Sequence, residues 1–117
     1  MATFTKERLS GCSSGKLIKV SETSSPGTVI HASVSGGTSW DEIWLYAVNN
    51  SEGAHPLIIE YGGLLDPDDL IRVSIAPQSG LVLIVPGFIL QNSNVVRAFC
   101  PEPDVLCIGG WVNRITA

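Results

Sequence analysis

From Thr28 onward the sequence never stays apolar for long. Short stretches of Val, Ile, Leu and aromatic residues are cut off repeatedly by clusters of Gly, Pro, Asn, Asp and Ser. The runs Thr28–Val34, Glu42–Val48, Pro56–Tyr61, Leu70–Ile75, Leu81–Val85, Phe88–Gln91, Val95–Cys100 and Val105–Ile115 have the composition of packed strands. Between them lie Ser35–Thr38, Asn49–Gly53, Gly62-Gly63, Asp66–Asp69, Pro77–Gly80, Pro86-Gly87, Gln91–Asn94 and Pro101–Asp104, each a turn by residue type. Strand centres recur about every 8–14 residues, the spacing of an antiparallel sandwich or barrel. Nothing carries a helical stripe, and Asp66–Leu70 has room for no more than one helical turn, with Pro67 at its first position. The expected fold is all-β: an antiparallel β-sandwich or jelly-roll-like barrel with an extended N-terminal arm.

The faces of these runs say where each strand lies. In Leu70–Ile75 the apolar Ile71, Val73 and Ile75 alternate with Arg72 and Ser74, as in a strand with one face in water. Ile43–Val48 and Leu81–Val85 are instead apolar on both faces. A two-sheet sandwich buries only one face of each sheet, so the second face needs a cover, either the N-terminal arm or another copy of the chain.

The charges are segregated along the chain. All three lysines, Lys6, Lys16 and Lys19, fall within the first nineteen residues, and with Arg8 and Glu7 they give residues 1–20 a charge of +4 − 1 = +3. The remainder carries Arg72, Arg97 and Arg114 against ten acids, +3 − 10 = −7. Residues 1–26 are also rich in Ser, Thr and Gly, and only Lys16–Val20 looks capable of forming a strand, a short basic one suited to a sheet edge. Residues 1–26 therefore read as an extended basic arm held by a partner, and residues 27–117 as the β-sandwich domain.

With 117 residues there is material for one core. Charged residues make up only 15% of the chain and hydrophobic residues 44%. A typical soluble domain is about 25% charged, so a partner is expected to cover part of this surface. No run reaches the roughly 18 apolar residues of a membrane-crossing helix. No apolar segment follows Lys6 and Arg8 as in a secretory leader, so a reducing compartment is expected. Cys12, Cys100 and Cys107 then read as free thiols. The net charge of −4 argues against nucleic acid as the main ligand.

Motifs of catalysis or metal binding are not evident. His31 and His55 are isolated and match no metal-ligand spacing; His31 reads as a satisfied sheet residue and His55 as a turn residue. Asp66, Asp68 and Asp69 concentrate carboxylates in one turn without the spacing of a calcium loop. Cys100 and Cys107 flank Pro101–Asp104, and in a hairpin closed by that turn Cys100 would face Val105 and Cys107 would face Ala98, an arrangement that does not favour a bridge. Gly62-Gly63 and Gly109-Gly110 read as bends or bulges. No nucleophile, phosphate loop or carboxylate pair has a recognisable signature. The expectation is a protein with no enzymatic activity, no cofactor and no metal.

The stretches Trp40–Asn49, Ile59–Gly63, Leu81–Gly87 and Val95–Phe99, together with the closing Gly110–Thr116, resemble a group of small structural proteins of tailed-bacteriophage virions. The resemblance spans roughly residues 28–116 and implies a capsid cement or decoration protein that binds the major capsid protein. Such proteins are commonly β-rich and oligomeric, so a homo-oligomer, dimer or trimer, located in the phage head after assembly in the host cytoplasm, is implied as well. Partner-binding candidates are Lys6, Arg8, Lys16, Lys19, Trp40 and Trp44. Two other readings stay open: a head–tail or tail accessory subunit, and a carbohydrate-binding surface module in which Trp40, Trp44, Tyr61 or Trp111 stacks on sugars.

Overall fold

Alternation along two long strands, strict in Ser39–Asn49 and interrupted at Gly109-Gly110 in Leu106–Thr116, organises the molecule. In Ser39–Asn49, the side chains of Ile43, Leu45 and Ala47 are fully buried, while Trp44, Tyr46 and Val48 between them stay half-exposed. In Leu106–Thr116 the buried set is Leu106, Ile108 and Val112, and Cys107, Trp111 and Asn113 face outward. The two strands pair antiparallel over their whole length, from Ser39 opposite Thr116 to Asn49 opposite Leu106. Their buried faces coincide because directly opposed residues in an antiparallel pair point to the same side.

The computed structural model describes residues 2–116. Nine strands follow one another: β1 (Thr3–Arg8), β2 (Ile18–Lys19), β3 (Thr28–Ala32), β4 (Ser39–Asn49), β5 (His55–Tyr61), β6 (Leu70–Ile75), β7 (Val82–Leu90), β8 (Val95–Phe99) and β9 (Leu106–Thr116). There is no helix among the described residues. One sheet has the order β1-β9-β4-β7 with β2 also on β9, and the other has the order β3-β8-β5-β6; all pairs are antiparallel. Since β4 occupies one side of β9 throughout, β1 and β2 share the other side as a single interrupted strand.

With β1 and β2 counted as one strand, the first thus lies beside the last, β9, and the next, β3, beside the last but one, β8. Apart from the β1–β2 break, only β5 and β6 are neighbours both in sequence and in a sheet; the other connections cross between sheets. This nesting is the double Greek key of a jelly roll. The inward faces meet in one core, with Ile43, Leu45, Ala47, Ile108 and Val112 from the first sheet against Leu57, Ile59, Ile75, Val96 and Ala98 from the second. Each fully buried Leu or Ile contributes about 1.5–3 kcal/mol.

Three sequence expectations need correction. The N-terminal segment does not project as an arm: β1 and β2 pair with β9, and Leu9, Ile18 and Val20 are buried in the core. The backbone N–H groups of Gly11 and Val20 are bound by the carbonyls of Ile30 and Leu106, so the segment closes one side of the sandwich. Secondly, Leu81–Val85 and Phe88–Gln91 belong to one strand, and Pro86-Gly87 is a kink within it, where Gly87 has φ 83° and the β4 register shifts. Proline is tolerated there because β7 is an edge strand. Finally, Pro101–Asp104 closes no hairpin. β8 and β9 lie in opposite sheets, which leaves Cys100 buried and removes the supposed facing of Cys100 with Val105.

Other expectations agree with the structure. β6 is the edge of its sheet, as its alternation implied, and Cys12, Cys100 and Cys107 are free thiols. In Asp66–Asp69 the chain makes a turn and no helix; Asp66 pairs with Arg72 through two hydrogen bonds of 3.0 and 2.8 Å, and Asp69 accepts from the Leu65 N–H.

Candidate functional site

The outer face of the first sheet collects the most distinctive surface chemistry. At its centre Trp44 and Trp111, directly opposed on β4 and β9, stack with ring centroids 5.7 Å apart and planes 11° from parallel. Tyr46 extends the stack, 5.9 Å from Trp111. Gly109, opposite Tyr46, leaves space on this face. A Cβ on Gly110, whose φ is 152°, would overlap the Trp44 carbonyl oxygen. Leu17, from the loop between β1 and β2, lies over Gly109.

A polar cluster fixes one side of this stripe. The Trp44 Nε1–H and the Asn113 Nδ2–H both donate to Glu42 Oε1, at 3.0 and 3.1 Å. These two bonds hold the Glu42 carboxyl below its ordinary pKa, so it stays ionised. On the other side Lys6 places its Nζ 4.7 Å from the Trp111 ring centroid. Such a contact adds about 0.5–1 kcal/mol when exposed.

Register extends the pattern to the sheet's edges. Arg8 lies opposite Trp111, Lys6 opposite Asn113, Phe4 opposite Ile115 and Lys19 opposite Cys107, so all four project from the same outer face as the aromatic stripe. Beyond β4, on β7, Leu83 and Ile89 lie opposite Tyr46 and Glu42 and are 47% and 58% exposed. The face therefore runs from a row of cations, over stacked aromatics, to an uncharged apolar rim.

The sequence candidates divide accordingly. Lys6, Arg8, Lys19 and Trp44 come together on this face, and Trp40 joins them at its far end opposite Ile115. Lys16 sits apart, in the turn where its N–H meets the Ser13 carbonyl. Tyr61 is not on the stripe. It packs edge-on against Phe88, 6.1 Å away, and burial together with the nearby Asp41 carboxylate pushes its hydroxyl pKa well up. Sequence reasoning did not place Tyr46, Glu42 and Asn113 in the site, although the alternation of β4 already assigned Tyr46 to the side of Trp44.

A second cluster is internal. Asp41, fully buried on β4, accepts from His31 Nε2–H at 2.7 Å, from Arg114 Nε and Nη2 at 2.8 and 3.1 Å, and from the Val34 N–H at 3.1 Å. Burial alone would raise the Asp41 pKa, but the hydrogen bonds from Arg114 and His31 and the charge of Arg114 outweigh it and hold the carboxyl below the usual aspartate range. His31 Nδ1 accepts the Ser10 backbone N–H at 2.9 Å, which leaves Nε2 as the protonated nitrogen facing Asp41. Ser10 Oγ is engaged elsewhere, accepting from the Ala32 N–H at 2.7 Å. Ser, His and Asp thus occur together with the hydroxyl turned away from the imidazole, and His31 is shut off from solvent. The cluster clamps β3 of one sheet to β4 and β9 of the other.

Glu60 is a comparable internal anchor. Fully buried on β5, it accepts from the Gly27 N–H at 2.7 Å and from the Ser25 hydroxyl, tying the segment before β3 across β8. Gly27 has to be glycine there because a Cβ would collide with the Ala98 backbone. Among the described residues no group of three or more His, Cys, Asp or Glu is placed to hold a metal ion. No family model, curated protein or solved structure matches this chain.

Proposed function

We propose that this chain is a virion structural protein, a capsid cement or decoration protein that docks the outer face of its first sheet onto the major capsid protein and stabilises the phage head. One observation carries the reading: stacked aromatics, three cations and apolar side chains share a single sheet face. Aromatic side chains and arginine are enriched at protein interfaces, and Trp44, Tyr46, Trp111 and Arg8 share this face. The motif resemblance supplies the capsid as the address. The jelly roll is compatible with it, since capsid domains are among the many uses of that scaffold.

The cations act here from a fixed place. Lys6, Arg8 and Lys19 belong to strands bonded to β9, so little backbone ordering entropy is lost when they meet carboxylates on a capsid subunit. Many such contacts repeated over a lattice add avidity and resist the outward pull on the shell. A head–tail or tail accessory role would use the same face at a different location. A sugar platform fits less well, because Trp44 and Trp111 turn their ring faces toward each other, leaving edges outward.

The experiment compares phage heads without the chain, with it, and with a Lys6→Glu, Arg8→Glu variant. The native chain should co-sediment with heads and raise the temperature at which they release DNA, and the variant should do neither at physiological salt. Equal behaviour of all three samples would overturn the proposal.

A further inference from the structure

Sheet edges are where unpaired backbone invites another strand, and soluble proteins normally guard them with charge, shortness or irregularity. Three of the four edges here are guarded by charge or shortness, and the fourth, β7, only by the irregularity at Pro86-Gly87. The β1/β2 edge is broken in two and carries Lys6, Arg8 and Lys19. The β3 edge is five residues long and bulged between Val29 and His31. The β6 edge carries Arg72, paired with Asp66. The β7 edge is nine residues long, and between Arg72 and Arg97 the sequence has no charged side chain.

β7 also carries the densest set of exposed apolar side chains on any strand: Leu83, Phe88 and Ile89 are 47%, 60% and 58% exposed, and Leu81 just before it is 64% exposed. Leu83 and Ile89 project from the outer face, opposite Tyr46 and Glu42, and Phe88, opposite Ile43, turns to the other face against Tyr61, so apolar side chains are exposed on both faces along this edge. We infer that β7 is a self-association edge, at which two copies of this chain pair their β7 strands antiparallel about a two-fold axis.

Charge selects a second copy as the occupant. Outside residues 1–20 the chain carries −7, so like-charge repulsion between two copies is least along an uncharged segment. An edge without charge gives a charged foreign partner nothing to recognise, whereas a two-fold contact requires only that the strand complement itself. β7 does so. The kink at Pro86-Gly87 divides it into a Leu81–Leu83 half and a Phe88–Ile89 half. With the axis at the kink, each half meets the other half of the second copy, Leu83 against Ile89 on the outer face. The pairing joins two first sheets edge to edge and leaves the outer faces with Lys6 and Arg8 free. It therefore stands whether or not the capsid reading holds.

The test is sedimentation velocity of the full chain over a concentration series, with Leu83→Lys and Ile89→Lys singly and combined, and Leu65→Lys as a control. Leu65 is 66% exposed but lies in the loop between β5 and β6. The native chain and Leu65→Lys should dimerise with the same dissociation constant, each β7 variant should weaken the dimer at least tenfold, and the double variant should be monomeric with native circular dichroism. Should the variants misfold, hydrogen exchange of the native chain decides, since β7 amides must gain protection as concentration rises. A native chain monomeric at all concentrations, a dimer indifferent to the β7 lysines, or β7 exchange independent of concentration would overturn the inference.

Discussion

Replacing Asp41 tests whether the fold depends on the buried clamp between sheets. Asp41→Ala removes the acceptor of four hydrogen bonds, from His31, the Val34 N–H and two Arg114 nitrogens. The loss falls unevenly. The Arg114 side chain is 31% exposed and can rehydrate, but His31 and its Nε2–H are sealed in. Breaking a buried charged pair by removing one partner costs about 3–5 kcal/mol, and the partial exposure of Arg114 puts this case near the lower end. Asp41→Asn keeps the shape and one acceptor oxygen, so about 2 kcal/mol is expected. Against a total stability of about 5–15 kcal/mol, either change is large. Urea denaturation measures both; with a slope of about 1–3 kcal/mol/M, the Ala midpoint should fall by roughly 1–3 M.

The same residue sets a pH dependence. Its folded pKa lies below the unfolded value, so the clamp contributes fully above the unfolded pKa of about 3.9 and is lost as pH falls through the folded one. Asp41→Asn should flatten that part of the acid-denaturation profile. An Ala variant within 1 kcal/mol of the native chain, or an acid limb unchanged in Asp41→Asn, would refute the argument.

Three further outcomes follow from the geometry. Deleting residues 2–9 removes β1 and Leu9, unpairs half an edge of β9 and opens the core; a loss of at least about 2 kcal/mol is expected, and an unchanged melting temperature would restore the projecting arm. Gly110→Ala forces a Cβ into the Trp44 carbonyl at φ 152° and should cost more than about 4 kcal/mol, so a variant melting within a few degrees of the native chain would contradict the observed backbone path. Trp44→Phe and Trp111→Phe should each abolish the exciton couplet of the stacked indoles in circular dichroism at little cost in stability, and a couplet surviving either change would mean that another pair produces it.

Strand content was legible because it is local: alternation and turn chemistry located the runs of β3 to β9. Sheet membership was not legible, because it depends on partners distant in sequence. Pro101–Asp104 has the composition of a hairpin turn, yet β8 leaves it in one sheet and β9 in the other. Lys16–Val20 was legible as a short edge strand and forms β2, but the rest of the N-terminal segment looked like an arm because Ser, Gly and Lys around Leu9 show no apolar period. Trp44 stood out as a site candidate from its double-faced strand, but its stacking with Trp111 joins residues 67 positions apart, 111 − 44 = 67, through β9. The clamp was invisible for the same reason: His31 read as a satisfied sheet residue, but its partners Asp41 and Arg114 lie on two other strands.

The central claim, that the outer face of the first sheet is the docking face, is tested most directly by cryo-electron microscopy of phage heads bearing this chain. The account predicts density for the chain on the shell with Lys6, Arg8, Trp44 and Trp111 against the major capsid protein, and β7 turned toward a neighbouring copy. Heads that bind no chain, or that bind it with Trp44 and Trp111 facing solvent, would contradict the account.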